Sequence, residues 1–296
     1  MKGRFTLPNP VVGLVFFVTV LGGSMCLTDP VFLAISLLGT AACSGMLAGR
    51  RAIRFWLCTA LPLMLLVAVL NPLFVHTGFV ILAYLPDGNP LTMEAVVYGC
   101  ASGVMLAAVL GWFYCLNEMT DSDRMLYLFG RAAPALSMLL SMTLRLIPRM
   151  RRQLGRIAEA QRGVGADIHT GSVAARARHG MRMLSILITW ALENAVETAD
   201  SMKARGYGLR GRSFYAVFRF AKRDACLLGI IAAEAAAVAA GLASGALRFQ
   251  YYPYIRWARP TPLTFVAGVA FLLLNLTPCL LALREEMKWR SSISAT

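Results

Sequence analysis

Charge is scarce in this 296-residue chain, and lysine is scarcer still. Only 15% of the residues are charged, histidine occurs three times, and the lysines are Lys2, Lys203, Lys222 and Lys288. With 58% of residues hydrophobic, too little polar surface remains to cover a soluble domain, so a soluble enzyme is excluded. No His-Glu-x-x-His occurs. His76, His169 and His179 stand far apart, which leaves a membrane metalloprotease without ligands. The seven cysteines, Cys26, Cys43, Cys58, Cys100, Cys115, Cys226 and Cys279, form no Cys-x-x-Cys pair and lie in or beside apolar runs. They are read as core residues rather than a disulfide framework. Cys100-Ala-Ser-Gly103 and Leu242-Ala-Ser-Gly245 both lack the first glycine of the Gly-x-Ser-Gly that an intramembrane serine protease needs. Gly206-Tyr-Gly-Leu-Arg-Gly211-Arg-Ser213 imitates a phosphate loop, but it follows a helix rather than a strand. With no catalytic apparatus visible, the chain is expected to be no enzyme, to hold no metal and to carry no cofactor of its own.

What the chain does have is long apolar runs. Spans are expected near Val11–Leu27, Val31–Ala48, Phe55–Phe74, Thr92–Leu116, Asp224–Ser244 and Pro262–Leu283, each long enough to cross a hydrocarbon core about 30 Å thick. The basic start Met1-Lys-Gly-Arg leads into the first of these, read as a span and not a cleaved signal. Of the twenty-nine Lys and Arg residues, only Arg248, Arg256 and Arg259 fall on one side of this arrangement and twenty-six on the other. By the positive-inside rule both termini and the central stretch of this multi-pass membrane chain are expected in the cytoplasm. Nearly all of the net charge of +14 is arginine, whose forked guanidinium suits a shaped acceptor. The apolar composition excludes nucleic acid, leaving lipid headgroups or a protein partner.

Between the fourth and fifth spans lies a stretch rich in arginine. Met125–Ile147 is apolar but interrupted by Arg131, Pro134 and Arg145, and is read as interfacial or re-entrant. From Ile147 on, Ile147, Met150, Leu154 and Ile157 share one helical face while Arg145, Arg149, Arg152 and Arg156 share another. An amphipathic helix is expected there, with Pro148 in its first turn. A polar linker, Gly165–Gly180, precedes a second helix over Met181–Arg205, stopped by Gly206 and Gly208. The fold class is therefore an all-α membrane protein with about six transmembrane helices and two long amphipathic cytoplasmic helices. The expected domains are a bundle of four spans at 1–118, a cytoplasmic or interfacial coupling domain at 119–223, and a transmembrane hairpin with a short tail at 224–296.

The second helix ends in Ala204-Arg205-Gly206. A small residue permits close approach, arginine offers five donors, and glycine terminates the helix so that its tip can enter a groove. Through Ala195–Gly208 and Arg156–Asp167 the chain resembles the transmembrane T components of energy-coupling factor transporters. The resemblance implies two cytoplasmic helices whose Ala-Arg-Gly tips each dock in one of two ABC-type ATPase subunits. It also implies a separate substrate-binding membrane S component, micronutrient uptake of a vitamin or a metal ion, and ATP and Mg held by the ATPases rather than by this chain. The first tip departs from the pattern. Aligned without gaps, Gly163-Val164-Gly165 stands in place of Ala-Arg-Gly; shifted by two residues, Gln161-Arg162-Gly163 does. The gapless alignment is preferred.

Ala95, Gly99, Gly103, Ala107 and Gly111 recur every fourth residue in the fourth span, and Ala233, Ala237, Gly241 and Gly245 repeat the spacing in the fifth. Such stripes let helices approach closely, either within the chain or against a membrane partner. Glu234 lies about ten residues into the fifth span, where an ionisable group needs protein, water or a partner. An alternative function, a self-contained secondary carrier, would use Glu234 and Asn275 at the bilayer midplane.

Overall fold

The computed structural model describes residues 9–84, 89–121, 124–125, 127–128, 133–167, 172–209, 220–257 and 261–293. Arg131, His169 and the Arg210–Ser213 end of the glycine-rich run lie outside the described residues. The helices, in chain order, are α1 (Pro10–Cys26), α2 (Pro30–Ala48), α3 (Arg50–Phe55), α4 (Leu61–Phe74), α5 (Met93–Met119), α6 (Pro134–Gly163), α7 (Val173–Ala204), α8 (Lys222–Ala243) and α9 (Pro262–Ile293). The chain divides into two compact units: Met1–Met125 together with Phe218–Thr296, and Leu126–Val217. The first four spans and the C-terminal hairpin, distant in sequence, thus share one unit.

In the first unit, Pro30–Ala48, Arg50–Phe74, Met93–Met119, Lys222–Ala243 and Pro262–Arg284 are long and apolar enough to cross a bilayer. Helix α1, apolar over 17 residues, reaches about 25 Å, the short end of the spanning range. Its start and that of α2 follow one rule. Asn9 and Asp29 accept hydrogen bonds from Val11 N (3.0 Å) and Val31 N (2.9 Å), and Pro10 and Pro30 occupy first positions where a missing N–H costs nothing. Between α3 and α4 the helix widens into a π-turn, Trp56–Ala60, one residue ahead of Pro62, whose ring nitrogen cannot donate back to the preceding turn.

Helix α5 is the central strut, with α4, α2 and α1 packed on it, while α9 packs on α2 and α8. The buried Trp112 of α5 meets Phe16 and Phe17 edge-on and donates to Ser36 Oγ (3.2 Å), which itself lies 2.6 Å from Ser24 Oγ. The interior is marked by small and polar side chains, among them Ser24, Ser36, Thr40, Ser44 and Asn275, whereas Val18, Leu38, Leu57, Val69 and Phe265 point outward. That is the packing expected where the surroundings are hydrocarbon. It also corrects the reading of the cysteines. Cys43, Cys115 and Cys279 are buried, but Cys26, Cys58, Cys100 and Cys226 are exposed, and all seven are free thiols. An apolar residue gains nothing by facing inward when lipid is as apolar as the core.

The glycines of α5 show why they recur. A Cβ at Gly103 would stand 2.6 Å from the Met64 carbonyl oxygen of α4, one at Gly99 would stand 2.8 Å from the Ala68 oxygen, and one at Gly111 would stand 2.6 Å from Thr40 Oγ1 of α2. Gly103→Leu is therefore expected to cost about 1–3 kcal/mol by forcing the two backbones apart, read as a lower melting temperature in detergent. Gly22→Leu, with open space around it, should leave that temperature unchanged.

Three connections meet at one end of this unit. Tyr251, between α8 and α9, donates to the Thr28 carbonyl between α1 and α2 (2.6 Å), and packs edge-on with Tyr98 near the start of α5. Burial, with Asp29 and Tyr98 nearby, pushes the Tyr251 phenol up to about 12. Phe79, between α4 and α5, stacks on Tyr254 at 4.4 Å. Here the sequence reading foresaw no strand. An antiparallel ribbon, β1 (Ile81–Tyr84) with β2 (Pro90–Thr92), precedes α5, and the buried Glu94 accepts hydrogen bonds from Phe79 N and Val80 N at 3.3 Å.

The second unit corrects two helix starts. Helix α6 begins at Pro134 rather than Ile147, so Pro148 lies in its interior; the apolar stripe simply continues across the proline. Helix α7 begins at Val173 rather than Met181, because Ser172 caps it by accepting from Ala175 N (3.3 Å). Ile157 of α6 is buried against Met183 and Leu187 of α7, with Met150, Ala158 and Trp190 around them.

Candidate functional site

The ends of α6 and α7 are built alike. At the end of α7, Tyr207 N donates to Met202 O (3.0 Å) and Gly206 N to Lys203 O (2.9 Å), and Gly206 takes φ +76°. At the end of α6, Ala166 N donates to Gln161 O (2.9 Å) and Gly165 N to Arg162 O (3.0 Å), and Gly165 takes φ +78°. Each helix closes on a six-to-one and a five-to-two hydrogen bond around a left-handed glycine, which satisfies carbonyls a helix end otherwise leaves open. In these two caps Gly163 is equivalent to Ala204, Val164 to Arg205 and Gly165 to Gly206. Val164 (φ −97°, ψ 7°) and Arg205 (φ −84°, ψ 8°) share a backbone conformation as well. Leu209, which the sequence reading passed over, lies on Gly206: a Cβ there would meet its Cδ1 at 3.0 Å. An apolar residue shortly after a terminating glycine was the available signal.

The cations around the two tips are used differently. Arg205 is exposed and, among the described residues, no carboxylate pairs with it, whereas Lys203 lies 3.9 Å from Asp200. At the first tip Arg162 Nε lies 3.5 Å from Asp167 Oδ1. Val164 there is 82% exposed. From the shared core, Ile157 stands about 10 Å of helix before the first tip, and Leu187 about 27 Å before the second.

The membrane stripe residues Ala95, Gly99, Gly103, Ala107 and Gly111 lie buried or half-buried along α5, with the glycines against α4 and α2. On α8, Gly241 packs against Leu247 and Ala267, and Gly245 (φ +73°) follows the helix end. Glu234 Oε2 is buried without a hydrogen-bond partner, while Asn275 donates to Phe271 O of its own helix (2.6 Å) and packs against Gly39. No hydrogen bond joins Glu234 to Asn275 among the described residues.

Bundle and tips together define a multi-pass helical membrane protein with a separate unit of two long basic helices. No protein-family model matches the chain. It is 28% identical over 232 residues to the energy-coupling factor transporter transmembrane protein EcfT of Bacillus selenitireducens, covering 72% of this chain and 83% of that one. With the proteins of the same name from Staphylococcus aureus and Heliobacterium modesticaldum it shares 31% identity over 133 residues and 28% over 188. These matches cover 43% and 56% of this chain, and 50% and 71% of those proteins. The chain is a homologue of the energy-coupling factor transporter transmembrane proteins.

Proposed function

We propose that this chain is the coupling scaffold of an energy-coupling factor importer. On this reading it carries the motion of two cytoplasmic ABC-type ATPase subunits to a membrane S component that binds a vitamin or a metal ion. The observation that carries the reading is the pair of equivalent glycine-capped tips, one presenting an exposed arginine that no carboxylate among the described residues pairs with. A guanidinium at a helix end can make charge-assisted, forked hydrogen bonds inside a groove, and a helix held at its tip must move when the groove moves. The core around Ile157, Met183 and Leu187 binds the two helices into one body, so displacement at either tip is felt by both. ATP and Mg belong to the partner subunits, and the chain itself has a binding and transmitting role.

The tips must then lie in the cytoplasm. Support comes from the charge asymmetry and from the meeting of the α1–α2, α4–α5 and α8–α9 connections at one end, which carries Arg248 and Arg256 but little other positive charge. The test is purification of the tagged chain from its native host in mild detergent. ATPase subunits and a small membrane protein should accompany it, and their absence would defeat the proposal. Within the first tip, Arg162→Ala is expected to weaken ATPase retention no more than about fivefold, since an exposed ion pair contributes only about 0.2–1 kcal/mol. Quantifying bound ATPase checks this, and a loss as large as that of Arg205→Ala would make Arg162 the working residue.

A further inference from the structure

Independently of the coupling reading, we propose that the connection between α8 and α9 holds the phosphate headgroup of an anionic phospholipid, in the leaflet which that connection meets. The connection has a defined shape. Arg256 N donates to Gln250 O at 2.9 Å and Gln250 N to Arg256 O at 3.2 Å, which folds the chain into a narrow antiparallel hairpin. Burial alternates along it: Phe249 and Tyr251 are buried, while Arg248, Gln250 and Arg256 are exposed. Directly paired residues share a face, and so do residues two apart in extended chain. Arg248 and Arg256 are therefore diagonal neighbours on the outer face, about 7–8 Å apart along the backbone diagonal. Two guanidinium side chains at that spacing can meet on one phosphate.

The level of the hairpin selects a lipid. It follows the end of α8 at Ala243 and precedes the start of α9 at Pro262, both long enough and apolar enough to span, so it stands where hydrocarbon gives way to headgroups. Its aromatic side chains suit that layer, since amphipathic rings favour the boundary. Trp257 is 64% exposed, and Tyr254 stacks on Phe79 from the α4–α5 connection. The Arg256 guanidinium lies 5.8 Å from the centre of the Tyr254 ring, which steadies the cation while its N–H donors can still serve an acceptor. Among the described residues no carboxylate pairs with Arg248 or Arg256. Together with Arg259 they are the basic residues expected at this end, and all three fall in one connection. Exposed guanidinia among rings at headgroup depth complement an anion, and the abundant anion of that layer is a lipid phosphate. A headgroup lacking its own ammonium leaves that phosphate unopposed. Because Tyr251 of the same hairpin donates to Thr28 between α1 and α2, a headgroup held here braces three connections of the bundle.

Native mass spectrometry of the purified chain, titrated in detergent with phosphatidylglycerol or phosphatidylcholine, is the test. A basic residue at an anionic lipid surface adds about fivefold in affinity, so one phosphatidylglycerol should bind about twenty-fivefold more tightly than phosphatidylcholine. Arg248→Gln combined with Arg256→Gln should abolish that preference. Arg176→Gln combined with Arg178→Gln, the same loss of charge in the other unit, should keep it. Tyr254→Leu retains both charges but removes the ring beside Arg256; it should weaken phosphatidylglycerol binding about threefold and guards against misfolding of the double glutamine variant. Equal binding of the two lipids by the native chain, or a native preference in the double glutamine variant, would overturn the proposal. Glycerol phosphate bound as tightly as the lipid would also overturn it, by making this a site for a soluble phosphate. So would a glutamine variant that keeps its lipid but loses a copurifying membrane protein, because the face would then be a protein contact.

Discussion

Arg205→Ala is expected to reduce ATPase copurification by about ten- to a hundredfold and to stop substrate uptake, while the chain still inserts and folds. The side chain is exposed and makes no ion pair among the described residues, so the fold does not depend on it; surface changes of this kind stay within about 0.5 kcal/mol. Hydrogen bonds from a charged donor contribute about 1.5–3 kcal/mol each once water is excluded, and the guanidinium can make two in parallel to one acceptor group. Arg205→Lys should fall between the native chain and alanine, since it keeps the charge and loses the fork. Uptake of labelled substrate in cells and ATPase bound per purified chain are the two measurements. Normal values of both in the alanine variant would remove Arg205 from the mechanism.

The second large effect is all-or-none. In a background with all seven cysteines replaced, a single cysteine at position 173 is expected to resist a membrane-impermeant thiol reagent in intact cells and to react fully after lysis. One at position 89 should react in both. Val173 is 81% exposed at the start of α7 and Asn89 is exposed beside the β1–β2 ribbon, so burial in the protein protects neither. Only the bilayer can separate them. Labelling of position 173 in intact cells would mean that Met125–Ile147 is a further crossing, and a cytoplasmic ATPase could then not reach Arg205.

The membrane class, the positions of the long apolar runs and the presence of two glycine-terminated basic helices were legible in the sequence, because each rests on local composition. Span length follows from bilayer thickness, and a left-handed cap almost requires glycine, so Gly206 stood out unaided. Helix starts were less legible. Ser172 and Pro134 are ordinary start signals, but the first lay inside a polar stretch resembling a linker and the second inside a stretch resembling an interrupted span. The ribbon before α5 depends on Glu94 meeting the Phe79 and Val80 amides, a contact between residues fifteen and fourteen apart that no local pattern announces.

Two matters were decided only by the tertiary structure. The sequence offered two registers for the first tip, and only the hydrogen bonds closing α6 place Val164 where Arg205 stands in α7. Nor does an apolar helix in lipid say which way it faces. Leu38 points out and Ser36 points in, the reverse of a water-soluble core, because hydrocarbon rewards an outward leucine as much as an inward one, while a serine must find a partner inside. Composition therefore determined that this chain lives in a membrane, and close backbone contact at Gly99 and Gly103 decided how α5 packs on α4 there.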